Sequence, residues 1–219
     1  MTPEYTFFSP EDEIRVDIGA DVFAFGKIPD NAKGTVIFAH GSGSSRYSPR
    51  DQYVAQILYN GGLAVFIMDL LTRDEEAIDN VTRELRFDIN FLARRLTDAT
   101  EWITQHEEYP PPYGYFGAST GAAAALVAAA QMGNKITTVV SRGGRPDLAG
   151  VALSHVTAAT QLIVGGNDFD VIELNKSAYA QLTCEKSLEI VPGATHLFEE
   201  SGTLETAARL ATQWFIAHQ

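Results

Sequence analysis

Five residues, Gly117-Ala118-Ser119-Thr120-Gly121, set a serine between two glycines in G-x-S-x-G spacing. The apolar run YGYFGAS (Tyr113 to Ser119) leads into them, and a small-residue helical segment follows from Ala122 to Met132. A sharp strand-to-helix turn holds such a serine with its Oγ exposed, and glycines on either side relieve the crowding. The helix N-terminus beneath offers free N–H groups and a positive dipole end to a developing oxyanion. The chemistry implied is attack on a carbonyl through a covalent acyl-serine. A glycine-rich turn that merely packs a helix is the bland alternative, and the matching context on both sides argues against it.

A serine hydroxyl needs a base to become a nucleophile at neutral pH. His196, in Gly193-Ala194-Thr195-His196, follows the last predicted strand, where a loop can present an imidazole over the sheet edge. The other histidines are poorer candidates: His106 ends a helix, His155 lies outside the last strands, and His218 is terminal. His40 precedes a glycine in an early loop, which suits a structural role. A carboxylate must hold the imidazole in the right tautomer. Asp168, directly after TQLIVGGN, stands at the first turn off the penultimate strand and is preferred to Asp170, although either aspartate could instead cap a helix. The resulting chain order is Ser119, Asp168, His196, different from two other well-known serine-triad arrangements.

Two donors are needed for the oxyanion. The N–H of Thr120, the residue after the nucleophile, is one. The loop His40-Gly41-Ser42-Gly43-Ser44-Ser45 is expected to supply the second through Ser42, with Gly43 as the alternative. This loop lacks both G-x-x-x-x-G-K-[ST] and G-x-G-x-x-G, so nucleotide binding is disfavoured. Arg46 and Arg50 in SSRYSPRD, and Arg142 and Arg145 in SRGGRPD, could recognise a substrate carboxylate or phosphate. Arg46, Arg142 and Gly43 are carried forward as substrate-binding candidates. Internal salt bridges to Asp51, Asp69 or Asp147 are the competing role for the arginines.

Positioning these residues takes strands alternating with helices, and the chain is patterned that way. An opening hairpin is expected over Ile14 to Ile18 and Asp21 to Phe25, broken near Gly19. Buried strands are expected at TVIFAH (Thr35 to His40), LAVFIMDL (Leu63 to Leu70), YGYFGAS, ITTVVS (Ile136 to Ser141), TQLIVGG (Thr160 to Gly166) and SLEIV. Helices are expected over Pro49 to Asn60, Phe87 to His106, Ala122 to Met132 and about Val171 to Leu182. A closing helix carries Leu204, Ala207, Ala208, Ala211, Trp214 and Phe215 on one face. The expected order is β-β-β-α-β-α-β-α-β-α-β-α-β-α, a mostly parallel, doubly wound α/β sheet with helices on both faces.

The 219 residues suit one large α/β domain, and no disulfide or metal is needed to explain its stability. A net charge of −12 argues against a nucleic-acid or anionic-membrane surface. The lone Cys184 excludes an intramolecular disulfide, and a partly buried structural thiol is expected there. The N-terminal residues show no signal-peptide pattern and GAAAALVAAA is too short to span a bilayer, which points to a cytoplasmic protein. Asn80 and Asn175 each open an N-x-[ST] triplet, a pattern common by chance and discounted.

Taken as a set, these segments resemble the α/β-hydrolase superfamily, and within it the dienelactone-hydrolase-related branch. The likeness runs from VIFAHGSGSSRYSPR through GYFGASTGAAAA and SRGGRPDLAG to LIVGGNDFDV and VPGATHLFEE. It implies a single α/β-hydrolase domain over residues 1–219, the triad Ser119, Asp168 and His196, and oxyanion donors at Ser42 and Thr120. Similar modules also occur joined to phosphoribosyltransferase domains, but this chain shows no pyrophosphate-binding motif. True dienelactone hydrolases use a cysteine where this chain has Ser119, so opening of that lactone is not implied. With no insertion large enough for a lid between Ser141 and Thr160, an open site for small soluble esters is expected. No cofactor or metal is called for, and a monomer or homodimer is expected. Besides a carboxylic-ester hydrolase, the alternatives are a thioesterase or acyltransferase with the same triad, or a non-catalytic binding module.

Overall fold

A computed structural model describes residues 7–218. Its strands are β1 (Glu13–Asp17), β2 (Asp21–Lys27), β3 (Thr35–Ala39), β4 (Ala64–Met68), β5 (Tyr113–Ala118), β6 (Ile136–Arg142), β7 (Ala159–Gly165) and β8 (Lys186–Val191). They form one eight-stranded sheet in the order β1-β2-β4-β3-β5-β6-β7-β8. The hairpin strand β2 runs antiparallel to both β1 and β4, whereas every pairing from β4 to β8 is parallel. Every residue of β3 and β4 is buried. Strands covered on both faces read as unbroken apolar runs rather than alternating ones, which is how these two appear in the sequence.

Period-two alternation then divides the side chains between two helical layers. Val36, Phe38 and Phe116 point to one face, where they meet Val54, Ala55 and Leu58 of α1 (Pro49–Asn60) and Ala208, Ala211 and Phe215 of α6 (Thr203–His218). Ile37, Ala39 and Tyr115 point to the other, against α3 (Ile89–Ile103) and α4 (Thr120–Met132), with Ala178 of α5 (Phe169–Gln181) further along. The start of α1 follows from local chemistry: Pro49 sits in its first turn and the Ser48 hydroxyl accepts from Asp51 N–H.

Two features depart from the expected order. A helix, α2 (Arg73–Thr82), follows β4 where none was expected. Its sequence RDEEAIDNVT has no apolar stripe, and only Asp79 is buried, so periodicity could not find it. The available sign was the capping box, in which Thr72 N–H donates to Glu75 at 2.7 Å and Glu75 N–H donates back to the Thr72 hydroxyl at 3.2 Å. Between β6 and β7 the expected helix is instead a 3₁₀ stretch, Pro146–His155, kinked at Gly150 with φ 54°. That segment stays short, and no lid domain is inserted there. Among the described residues no helix is long and apolar enough to cross a membrane.

From β3 the chain passes to β4 on one side, then returns across β3 to β5 on the other. Where strand order reverses in this way, the connections diverge and leave a crevice at the carboxyl ends of the two strands. The loop after Ala39 and the turn after Ala118 both open into it.

Candidate active site

At the end of β5, Ser119 adopts φ 50° and ψ −122°, a left-handed conformation that is costly for a residue with a Cβ. Packing around it enforces the turn. A Cβ on Gly117 would lie 2.4 Å from Ala122 Cα, and one on Gly121 would lie 2.1 Å from Ala39 O. Backbone approaches backbone at both places, so glycine is the side chain that fits. The Ser119 carbonyl is held by two donors, Ala122 N–H at 3.2 Å and Arg145 N–H at 3.0 Å. From Thr120 to Ala129 α4 is wholly buried, which its alanines permit by letting it lie close to the sheet.

Asp168 occupies the N-cap of α5, yet its carboxylate makes no capping hydrogen bond. It accepts instead from His196 Nδ1–H at 2.7 Å. That bond leaves Nε2 of the neutral ring as the acceptor. Asp168 N–H donates to Gly165 O at 3.0 Å, which anchors the turn. Asp170, two residues on, is exposed. His196 in turn belongs to a loop braced by Glu200, which accepts from Thr195 N–H at 3.0 Å and from the Thr195 hydroxyl at 2.7 Å. These bonds hold the Glu200 carboxyl below the usual carboxylate range.

Ser119 and His196 line one cleft of about 250 Å³, together with Gly41, Ser42, Arg50, Asp51, Arg142 and Gly143. Thr120 begins α4, so its N–H has no carbonyl within the helix to bond. Ser42 comes against it: the two hydroxyls are 2.8 Å apart. His40 holds the Ser42 loop from behind. Its Nε2 accepts from Leu70 N–H at 3.0 Å, which leaves the hydrogen on Nδ1, 3.0 Å from Gly41 O. Gly43, at φ 69°, lines an adjoining cavity with Asp79, Arg86 and Thr120, which shares Gly41, Ser42 and Ser44 with the Ser119 cleft. His106, His155 and His218 each place Nδ1 near the carbonyl four residues back, at 2.7, 3.0 and 2.8 Å.

The arginines separate by location. Arg46 is buried away from the Ser119 cleft and is paired with Glu13 and Asp69, with its guanidinium 4.4 Å from the centre of the Tyr47 ring. Burial works against its charge, but the two carboxylates outweigh that and raise its pKa. Arg145 forks onto Asp147 at 2.9 and 2.8 Å. Arg142 alone combines burial with a place in the cleft, where Nη2 bonds Asp51 at 3.1 Å. Burial pushes its guanidinium below its ordinary value, and Asp51 opposes that shift. Among the described residues no cluster of His, Cys, Asp or Glu could hold a metal ion. Cys184 is half-buried, with Sγ 3.6 Å from the Thr160 hydroxyl.

A solved structure described as a dienelactone hydrolase from Anabaena variabilis is 54% identical, with a TM-score of 0.92 over 94% of this chain and 96% of that one. The chain belongs to the dienelactone-hydrolase-related α/β hydrolases. The chain has the same fold as Est1E from Butyrivibrio proteoclasticus, at 14% identity and a TM-score of 0.78, covering 94% and 98% of the two chains. A protein of Mycobacterium tuberculosis provisionally named a phosphoribosyl transferase is 52% identical over 210 residues, or 95% of this chain and 46% of the relative. The chain thus spans about half the length of the curated relatives it matches. No family model matches it.

Proposed function

We propose that the protein is a serine carboxylic-ester hydrolase acting on small soluble esters. The observation that carries this reading is the 2.7 Å bond from His196 Nδ1–H to Asp168, made by a ring that shares its cleft with Ser119. His196 Nε2 takes the proton of Ser119 Oγ as the oxygen attacks the ester carbonyl. The oxyanion formed is met by the N–H groups of Thr120 and Ser42. Collapse expels the alcohol, which receives the proton from Nε2. Water, deprotonated by the same nitrogen, then attacks the acyl carbon, and the proton passes from Nε2 to Ser119 Oγ as the acid leaves. Asp168 stays ionised throughout and offsets the imidazolium charge.

A half-exposed His196 and a cleft that no domain among the described residues covers suit short acyl groups. Arg142 and Arg50 line the same cleft, so an ester with a nearby carboxylate or phosphate is compatible with it. Thioesters and acyl acceptors other than water would use the same groups. Short p-nitrophenyl esters test the reading directly. Turnover by the wild type, reduced about 10⁴-fold or more in Ser119→Ala, is expected. A fluorophosphonate adduct on Ser119, located by mass spectrometry, is the second expected result. An inert wild type that takes no label would leave the binding-module alternative standing.

A further inference from the structure

The turn Arg142-Gly143-Gly144-Arg145 performs no step in the mechanism above, yet it touches every segment that bears a triad residue. Gly143 N–H donates to Ile163 O at 2.8 Å, within the strand leading to Asp168. Arg145 N–H donates to Ser119 O at 3.0 Å. A Cβ on Gly143 would stand 2.8 Å from His196 O. Gly144 is pressed down onto β6 and α4, where a Cβ would meet Ser141 Oγ at 2.0 Å and Ala122 Cβ at 2.5 Å.

One side chain holds this turn from beneath. Asn175, on α5, is 0% exposed, and its Nδ2 donates to Gly144 O at 3.0 Å and to Val171 O at 2.8 Å. Two carbonyl acceptors fix the orientation of the amide. Its Oδ1 is buried with no partner. An orphaned buried acceptor is destabilising. Leucine would remove that orphan, but it would take the donor away from Gly144 O. What asparagine alone supplies here is a donor aimed at Gly144. The helix bearing it starts at Phe169, directly after Asp168, so the same helix ties the carboxylate to the turn.

We propose that Asn175 is a positioning residue for the triad, setting the 142–145 turn against the Ser119 carbonyl and the His196 backbone. Without its donor the turn relaxes, and Ser119 and His196 drift from the alignment that attack requires, where small misplacements cost large factors in rate. This inference rests on the serine-hydrolase reading, so wild-type turnover and labelling at Ser119 are measured first, and an inert wild type would sink that reading rather than this one.

The test compares p-nitrophenyl acetate kinetics and thermal melting in the wild type, Asn175→Leu and Asn175→Asp. Asn175→Leu should melt within a few degrees of the wild type, while kcat falls about 10- to 100-fold and KM changes little. A residue that serves folding alone would move the melting point and leave kcat per folded molecule intact. In Asn175→Asp the carboxyl lies among carbonyl oxygens, so it can donate only when protonated, and burial favours that form. Its activity relative to the wild type should therefore fall as pH rises from about 6 to 9. A folded Asn175→Leu with wild-type kcat would overturn the proposal. If that variant does not fold, a flat Asn175→Asp to wild-type ratio across the pH range would do so.

Discussion

The turn at Ser119 and the loop at His196 lie across one cleft and are built on opposite plans. Around Ser119, backbone packs on backbone: Gly117, Gly121 and the buried alanines of α4 leave the serine one conformation, a strained one. Around His196 polar bonds do the holding, with Asp168 gripping the ring and Glu200 gripping Thr195. Gly193, at φ 78°, has no atom within 4 Å of where a Cβ would sit. Sterics fix the proposed nucleophile and hydrogen bonds fix the proposed base. Under the proposed mechanism, such a division would let the imidazole rock slightly between two proton transfers while the attacking oxygen stays still. It also predicts that damage to the two regions will be of different kinds.

The largest effect should come from the polar side. Asp168→Asn keeps the shape but no longer favours the tautomer with a free Nε2, and kcat should drop about 10⁴-fold with an unchanged melting temperature. Kinetics paired with calorimetry would read both. A drop of only a few-fold would mean that Asp170 or another acid orients the ring. Next in size is a contrast between two glycines. Gly121→Ala forces a methyl onto the backbone oxygen of Ala39, which has no room to yield, and should cost about 3 kcal/mol or more. Gly193→Ala meets open space and bears only the left-handed conformation, about 1 kcal/mol. Urea unfolding of both variants would break the comparison if the two costs came out equal.

Much of this arrangement was legible from residues alone because strands announce their ends. Ser119, Asp168 and His196 each follow an apolar run, so sheet topology was enough to propose that they share an edge. The same logic proposes Thr120 and the Ser42 loop for that edge. Other features depend on what a side chain meets, which spacing does not encode. Arg46, Arg142 and Arg145 look alike as sequence, and their partners, Asp69, Asp51 and Asp147, decide that only Arg142 borders the cleft among these three. Helix α2 went unseen because it buries almost nothing. Asn175 carried only the misleading mark of a glycosylation triplet, and its 0% exposure gives it a different meaning.

The smallest predicted effect sharpens the contrast most finely. Glu200→Gln keeps one acceptor for Thr195 but loses the charge, so the His196 loop should loosen without unfolding, and kcat near neutral pH should fall only a few-fold. The Thr195 hydroxyl and N–H hold the Glu200 carboxyl below its ordinary value. A carboxyl whose folded pKa is depressed contributes stability that is complete above the unfolded value, about 4.3, and is lost as pH falls through the lower folded one. Hydrogen exchange over residues 193–202, corrected for intrinsic rates, should show wild-type protection fading below about pH 4, with the variant already low and level. Among the described residues the turn at Ser119 has no titrating brace of this kind, and amides 117–122 should keep their protection through the same range. Equal fading in both segments would mean that the loop and the turn open as one unit, and the two plans of construction would then be one.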